Sequence, residues 1–251
     1  MNNAPSIWLR PERSARGPVP EHSRAEIARA AVALADQGGL AAVTMRSVAA
    51  AIGTGPASLY RYVNTRDEIL ELMVDEVAGE YHPILPAGAA PLSAAGPQPA
   101  EPALAGLLQL ARRARQIFRR HPWMLDLPSV GTLPGPNAIA YTERVLTVLD
   151  GTALDGTARL ELVGIFTGLV RLLARTEADQ RQAGQQLAQW QEALAAYLTA
   201  AVADGRSPRL AATLASAAGP PGPDDPFDRT LTRILAGLLG PPGSPLPEGI
   251  A

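Results

Sequence analysis

Cysteine and lysine are both absent from the 251-residue chain, and all 22 of its basic residues are arginine. Without a thiol there is no disulfide framework, no cysteine metal site and no thiol nucleophile. The arginine-only usage, beside 24 prolines and 23 glycines, reads as a bias toward GC-rich codons rather than as a function. Long apolar runs are also missing. Leu160 to Leu173 is broken by Glu161, Gly164, Thr167 and Arg171, short of the roughly 20 apolar residues that a spanning helix needs. The opening MNNAPSIWLRPERSARG has neither the apolar core nor the cleavage pattern of a secretory leader, so a cytoplasmic protein without a membrane partner is expected. Reactive groups are sparse. His22, His82 and His121 sit in unrelated contexts, and the chain has no G-x-S-x-G, H-E-x-x-H, phosphate-cradling or dinucleotide-binding glycine motif. No catalysis, cofactor or metal is expected, which leaves a helical enzyme or a partner-binding bundle as a remote reading.

The net charge of −2 conceals an uneven distribution. Residues 1–66 hold eight arginines against four acids, while the remainder holds fourteen against twenty. A basic N-terminal segment on an acidic body is the pattern of a chain in which one part meets phosphates and the other does not.

Strand periodicity is absent and helical spacing recurs throughout, so the fold class is all-α. Pro5, Pro11, Gly17, Pro18 and Pro20 mark residues 1–22 as an irregular or mobile basic arm. Ser23 with Glu26 forms a capping-box pattern ahead of a first helix that Gly38-Gly39 stops. Thr44 caps a second helix ending at Gly53. A third is expected over Ala57 to Val63 after Pro56, and a fourth after Thr65, with Asp67 and Glu68 at its positive end. The proline-dense run after Tyr81 predicts a loop to residue 102. Helices are then expected from Ala103 to Arg120, Asn137 to Leu149, Gly156 to about Arg181, Gln185 to Ala203 and Phe227 to Leu239. The domains that follow are a helix-turn-helix unit over 23–66, a larger helical bundle over 67–240 and a Pro-rich tail over 241–251.

Two short helices around a glycine turn, with Ala49 and Ala50 allowing close approach, have the makings of a helix-turn-helix. With Leu59 and Val63 inward, the third helix turns Thr54, Ala57, Ser58, Tyr60, Arg61 and Tyr62 toward the outside. A phenol can bond a phosphate there, and an arginine can take guanine bidentately. A plain helical hairpin with its tyrosines in a core is the alternative.

The stretch SRAEIARAAVALADQGGLAAVTMRSVAAAIGTGPASLYRYVNTRDEILELMVDEV, residues 23–77, resembles the DNA-binding domain of the tetracycline-repressor (TetR) family. Downstream, RRHPWML, PGPNAIAYTERVLTVL and ELVGIFTGLVRLLAR resemble the C-terminal domain of the branch nearest the tetracycline repressor itself. The long Pro-rich insert and the extended arm before Ser23 depart from the family pattern. The resemblance implies that Thr44 bonds a phosphate, that Arg46 lies along the DNA backbone, and that Pro56, Ala57, Ser58, Arg61 and Tyr62 face base edges. It also implies that Tyr60 and Arg66 hold phosphates. Its further implications are a homodimer on a double-stranded operator and a small-molecule effector in the C-terminal domain.

The aromatic and apolar candidates for that effector site are Phe118, Trp123, Met124, Tyr141 and Phe166, with Trp190, Arg171 and Arg175 nearby in sequence; for each aromatic, plain core packing competes with ligand contact. The tetracycline repressor takes its drug partly through magnesium, and no matching histidine can be placed here. A repressor released by a lipophilic effector is the leading reading. The alternatives are a constitutive or architectural DNA-binding protein, and a ligand-dependent activator.

Overall fold

The computed structural model of the chain describes residues 6–11, 21–81, 100–128, 133–203, 205–217 and 225–240. Among them there is no strand. Three helices form the head: α1 (Arg24–Gly38), α2 (Met45–Ala51) and α3 (Pro56–Leu59). Ser23 accepts the Glu26 amide to open α1, and the Gly39 amide returns to the Ala35 carbonyl to close it. Its apolar stripe of Ile27, Ala28, Ala31, Val32 and Ala35 is buried, as the 3.6-residue period requires.

The next helix, α4 (Arg66–Ala78), is capped by Thr65 and carries Asp67 and Glu68 in its first turn. Ile69, Leu70, Leu72, Met73, Val77 and Ala78 are all buried. So many apolar positions cannot be covered from one side, and α4 packs on α1 and on α6 (Pro136–Val148).

The body is built around α5 (Ala100–Arg120), which packs against α6, α7 (Gly156–Val202) and α9 (Pro226–Leu239). Helix α5 starts earlier than Ala103 because Pro102 falls in its first turn, where no intrahelical amide donor is required. The expected break in the long helix is present: Gly184 (φ 46°, ψ −122°) divides α7 into two rods. Helix α8 (Pro208–Ala217), opened by Ser207 and Pro208, was not legible as a separate helix in the apolar spacing. Residues 82–99, which carry most of the expected loop, and the tail 241–251 lie outside the described residues.

The arm requires a correction. Residues 6–11 are docked rather than mobile, because Ile7 is completely buried in the core and two carbonyls of the segment are bound. Arg24 donates to the Ile7 carbonyl at 2.7 Å and to the Arg10 carbonyl at 3.0 Å. Arg10 pairs with Glu68 of α4 at 2.5 Å. Arg13 and Arg16 lie outside the described residues.

One arginine joins α5, α7 and the start of α9. Arg115 grips Glu177 with Nε at 2.7 Å and Nη2 at 3.0 Å, reaches Asp225 with Nη1 at 2.5 Å, and lies 4.7 Å from the centre of the Phe227 ring. These bonds hold the Glu177 and Asp225 carboxyls below their ordinary range. A carboxylate with a depressed folded-state pKa stabilises the fold above its unfolded pKa, and the gain is lost as pH falls through the folded value. Arg115→Ala is therefore expected to lower stability by about 1–3 kcal/mol near neutral pH. In thermal melts the gap between parent and variant should narrow below about pH 4; a gap independent of pH would mean that Arg115 acts through packing alone.

Candidate DNA-reading head and its junction with the body

The entrance to α2 is fixed by a reciprocal cap. The Thr44 hydroxyl accepts the Ser47 amide at 3.0 Å, and the Ser47 hydroxyl accepts the Thr44 amide at 2.9 Å. Gly53 then turns the chain with φ +75°, in the region that a side chain disfavours. The Thr54 amide returns to the Ala49 carbonyl at 2.9 Å, binding the turn to α2. Gly55 and Pro56 open α3, whose regular part ends at Leu59. Tight backbone bonds from Arg61, Tyr62 and Val63 carry the helical turn on to Val63. Val48, Ala49, Leu59 and Val63 are fully buried, so the opposite side of α3 is left for other contacts.

That outer side gathers most of the residues singled out in the sequence. Thr44, Arg46, Pro56, Ala57 and Arg61 are exposed, Thr54 and Ser58 are half-exposed, and Tyr60 is 52% exposed. Arg61 Nη2 donates to the Ser58 hydroxyl at 3.2 Å, which orients the guanidinium along the helix before any partner arrives. Two residues are placed differently from the rest. Tyr62 is half-buried against the core, with its hydroxyl accepting the His22 amide at 3.4 Å. Arg66, though exposed, has its guanidinium folded back on the head. Nε donates to the Val43 carbonyl at 2.8 Å and Nη2 to the Leu40 carbonyl at 2.7 Å.

Between head and body lies a polar junction, centred on the buried His121, that no local pattern announced. His121 Nδ1 is 2.8 Å from Asp36 of α1, and its Nε2 is 2.9 Å from Glu80 beyond α4. Both nitrogens face carboxylate oxygens, so only the doubly protonated ring donates to both. Trp123 donates its indole N–H to the same Asp36 oxygen at 2.7 Å, and Arg120 pairs with Glu80. The RRHPW run is thus a docking surface for the end of α1 and the end of α4.

The five effector candidates belong to the core or its margin. Trp123 and Phe166 are buried, while Phe118, Met124 and Tyr141 are half-buried and packed against the same cluster. Tyr141 stacks obliquely on Tyr81, ring centres 4.3 Å apart, and burial pushes both phenols above their ordinary pKa. A cleft of about 340 Å³ between α5, α7 and α9 is lined by Arg115, Leu173, Glu177, Phe227 and Thr230 among others, and one of about 400 Å³ lies between α6 and the start of α7. Neither is lined by any of the five. Trp190 is exposed. Arg171 and Arg175 donate to carbonyls of the 3₁₀ turn Pro122–Asp126 and its margin, holding that turn against α7. Among the described residues there is no His, Asp or Glu group able to hold a metal ion, and no helix long and apolar enough to cross a membrane.

The chain is similar to known proteins over most of its length. Residues 27–73 match the family described as bacterial regulatory proteins, tetR family, and residues 97–240 match the tetracyclin repressor-like C-terminal domain. The HTH-type transcriptional repressor DrrR1 of Streptomyces coeruleorubidus is 33% identical over 236 residues, 92% of this chain and 83% of that one. An HTH-type transcriptional regulator of Saccharopolyspora erythraea is 30% identical over 239 residues, 95% of this chain and 93% of that one. The crystal structure of apo ActR from Streptomyces coelicolor superposes with a TM-score of 0.64 at 26% identity, covering 89% of this chain and 97% of ActR. ActR has also been solved in complex with actinorhodin and with (S)-DNPA. The chain therefore belongs to the TetR family: it is an all-helical, DNA-binding transcriptional regulator that carries its helix-turn-helix on a tetracycline-repressor-like C-terminal domain.

Proposed function

We propose that the protein is a cytoplasmic homodimeric repressor that occupies a double-stranded operator and leaves it when a small lipophilic molecule enters the C-terminal domain. The observation that carries the reading is the outer side of α3, where Ser58 orients an exposed Arg61 beside an exposed Tyr60. That surface is carried through α2 and α1 to α4, which the body also grips. The repressor name of DrrR1 and the two small-molecule complexes of ActR support the sign and the kind of effector. On this reading Thr44, Arg46 and Tyr60 meet phosphates, while Thr54, Pro56, Ala57, Ser58 and Arg61 approach base edges. Tyr62 and Arg66 are partly committed to the head itself and contribute mainly by shaping it. The effector is placed among Phe118, Trp123, Met124, Tyr141 and Phe166, on α5, α6, α7 and the turn between α5 and α6.

Affinity requires two heads, because one recognition helix covers only part of a helical turn of DNA. The face of α7 that carries Ile165 (48% exposed) and Leu172 (61% exposed), with Ile234 of α9, is the apolar surface offered to a second copy. Light scattering should give twice 26.2 kDa, and Leu172→Arg should shift the protein toward monomer and weaken operator binding. A monomeric parent at micromolar concentration would remove this interface.

The DNA contact is tested with the duplex that the protein selects from a random-sequence pool. Arg61→Ala should cost about 1–3 kcal/mol on that duplex and relax the preference at one base pair. An equal loss on every sequence would make Arg61 a phosphate contact.

The switch is tested by titrating actinorhodin into the protein–duplex complex and following anisotropy. Release is expected in the parent. Phe166→Leu and Tyr141→Phe, both conservative in volume, should shift the release midpoint tenfold or more while DNA affinity stays within a few-fold. A parent complex indifferent to actinorhodin counts against this class of effector. Variants that respond like the parent place the effector site elsewhere.

A further inference from the structure

Helix α6 begins without a capping side chain of its own, since its N-cap position is Gly135. The missing acceptor comes from the head side of the molecule. Asp75 of α4, only 7% exposed, accepts the Ala138 amide on its Oδ1 at 2.9 Å. This is the bond that an N-cap Asp would make from within the same helix, supplied here from another helix. The α6 side answers with Asn137, whose Nδ2 donates to the Asp75 carbonyl at 3.1 Å. Gly135 is glycine for a geometric reason. A β-carbon there would stand 2.5 Å from the Asp75 carboxyl and 2.6 Å from the Trp8 ring. Trp8 belongs to the docked segment 6–11, donates its indole N–H to the Leu133 carbonyl at 3.3 Å, and closes the joint from outside.

A buried carboxylate at a helix N-terminus is stabilised by the unpaired amides and by the helix dipole, and the helix is stabilised in return. Here acceptor and helix lie on different elements, and α4 also packs on α1 of the head, so a displacement of α4 stretches the bond that begins α6. We propose that Asp75 is a positioning residue for DNA recognition: as a cap supplied in trans, it makes the first turn of α6 and the tilt of α4 interdependent. It thereby couples the C-terminal domain to the reading head. The inference rests on the reading that head and body exchange a signal. It adds the atom through which they do so.

Coupling is reciprocal between sites, so DNA on the head must be felt at the start of α6 without any effector. The test is hydrogen exchange of the full-length protein, with and without the duplex it selects, read at the amides of residues 137–141. In the parent, DNA should change their exchange at least fivefold. In Asp75→Ala the same amides should exchange fast in both states. The decisive variant is Asp75→Ala with Gly135→Asp, both made in a Trp8→Ala background that serves as their parent, so that an acceptor is restored within α6 in the space that the carboxylate and the indole vacate. It should recover slow exchange in the free protein and lose the response to DNA, which a merely structural cap would not do. Asp75→Asn, which keeps an acceptor at the same place, should retain both and guards against misfolding of the double variant. A parent whose α6 amides ignore DNA, or a double variant that responds like the parent, overturns the proposal. Actinorhodin release, measured separately, reports on the effector reading alone.

Discussion

Helix α4 has almost no face left for water, and that shortage organises the molecule. Its apolar residues are too many for a single partner: Ile69, Leu70, Leu72, Met73, Val77 and Ala78 are all buried. Each of these side chains larger than alanine contributes roughly 1.5–3 kcal/mol on full burial, so neither the head nor the body can release α4 cheaply. Sharing one helix between two cores makes the units dependent on each other. The docked segment 6–11 reinforces the sharing, with Ile7 in the core, Arg10 on Glu68 and Trp8 on the loop before α6.

Polar groups add direction to what burial only holds together. Apolar packing tolerates small slips, whereas a hydrogen bond weakens steeply when its donor is displaced. The junction contains such bonds about the C-terminal end of α4. Glu80 and Asp36 converge on His121, and Asp75 takes the Ala138 amide. These contacts turn an apolar interface into one with a defined register. On the DNA side, the Ser58–Arg61 bond and the Thr44–Ser47 cap do the same for the reading surface.

Much of the head was legible because its signals are local. Ser23, Thr44 and Gly53 each declare themselves within a few residues, and the observed caps and turn lie where those patterns put them. The break expected between about Arg181 and Gln185 falls at Gly184 of α7. What escaped depends on partners far along the chain. A buried acid in the apolar pattern of α4 asks for a partner, but the amide that answers Asp75 lies 63 positions away. Nothing near Asp36 announces that it will receive a histidine and an indole from RRHPW. The family resemblance implies a phosphate ligand in Arg66, and nothing local foretells that its guanidinium also meets the carbonyls of Val43 and Leu40. In the arm, the prolines point to an irregular or mobile segment, while the apolar Ile7 and Trp8 of residues 6–11 take a seat that exists only in the assembled fold. Residue type alone cannot separate a pocket wall from a core, so each effector candidate carries both readings.

The proposed switch requires the two heads of a dimer to change their spacing when the C-terminal domain is occupied. The absence of cysteine makes that directly measurable, because a single Ala33→Cys on the exposed side of α1 accepts one spin label per subunit without competition. Pulsed dipolar spectroscopy of the labelled dimer then reports the distance between heads. The account predicts one narrow distribution on the selected duplex and a second, displaced by several ångströms, when actinorhodin replaces DNA. A distribution that stays the same in both states, while actinorhodin still releases the duplex, would contradict it.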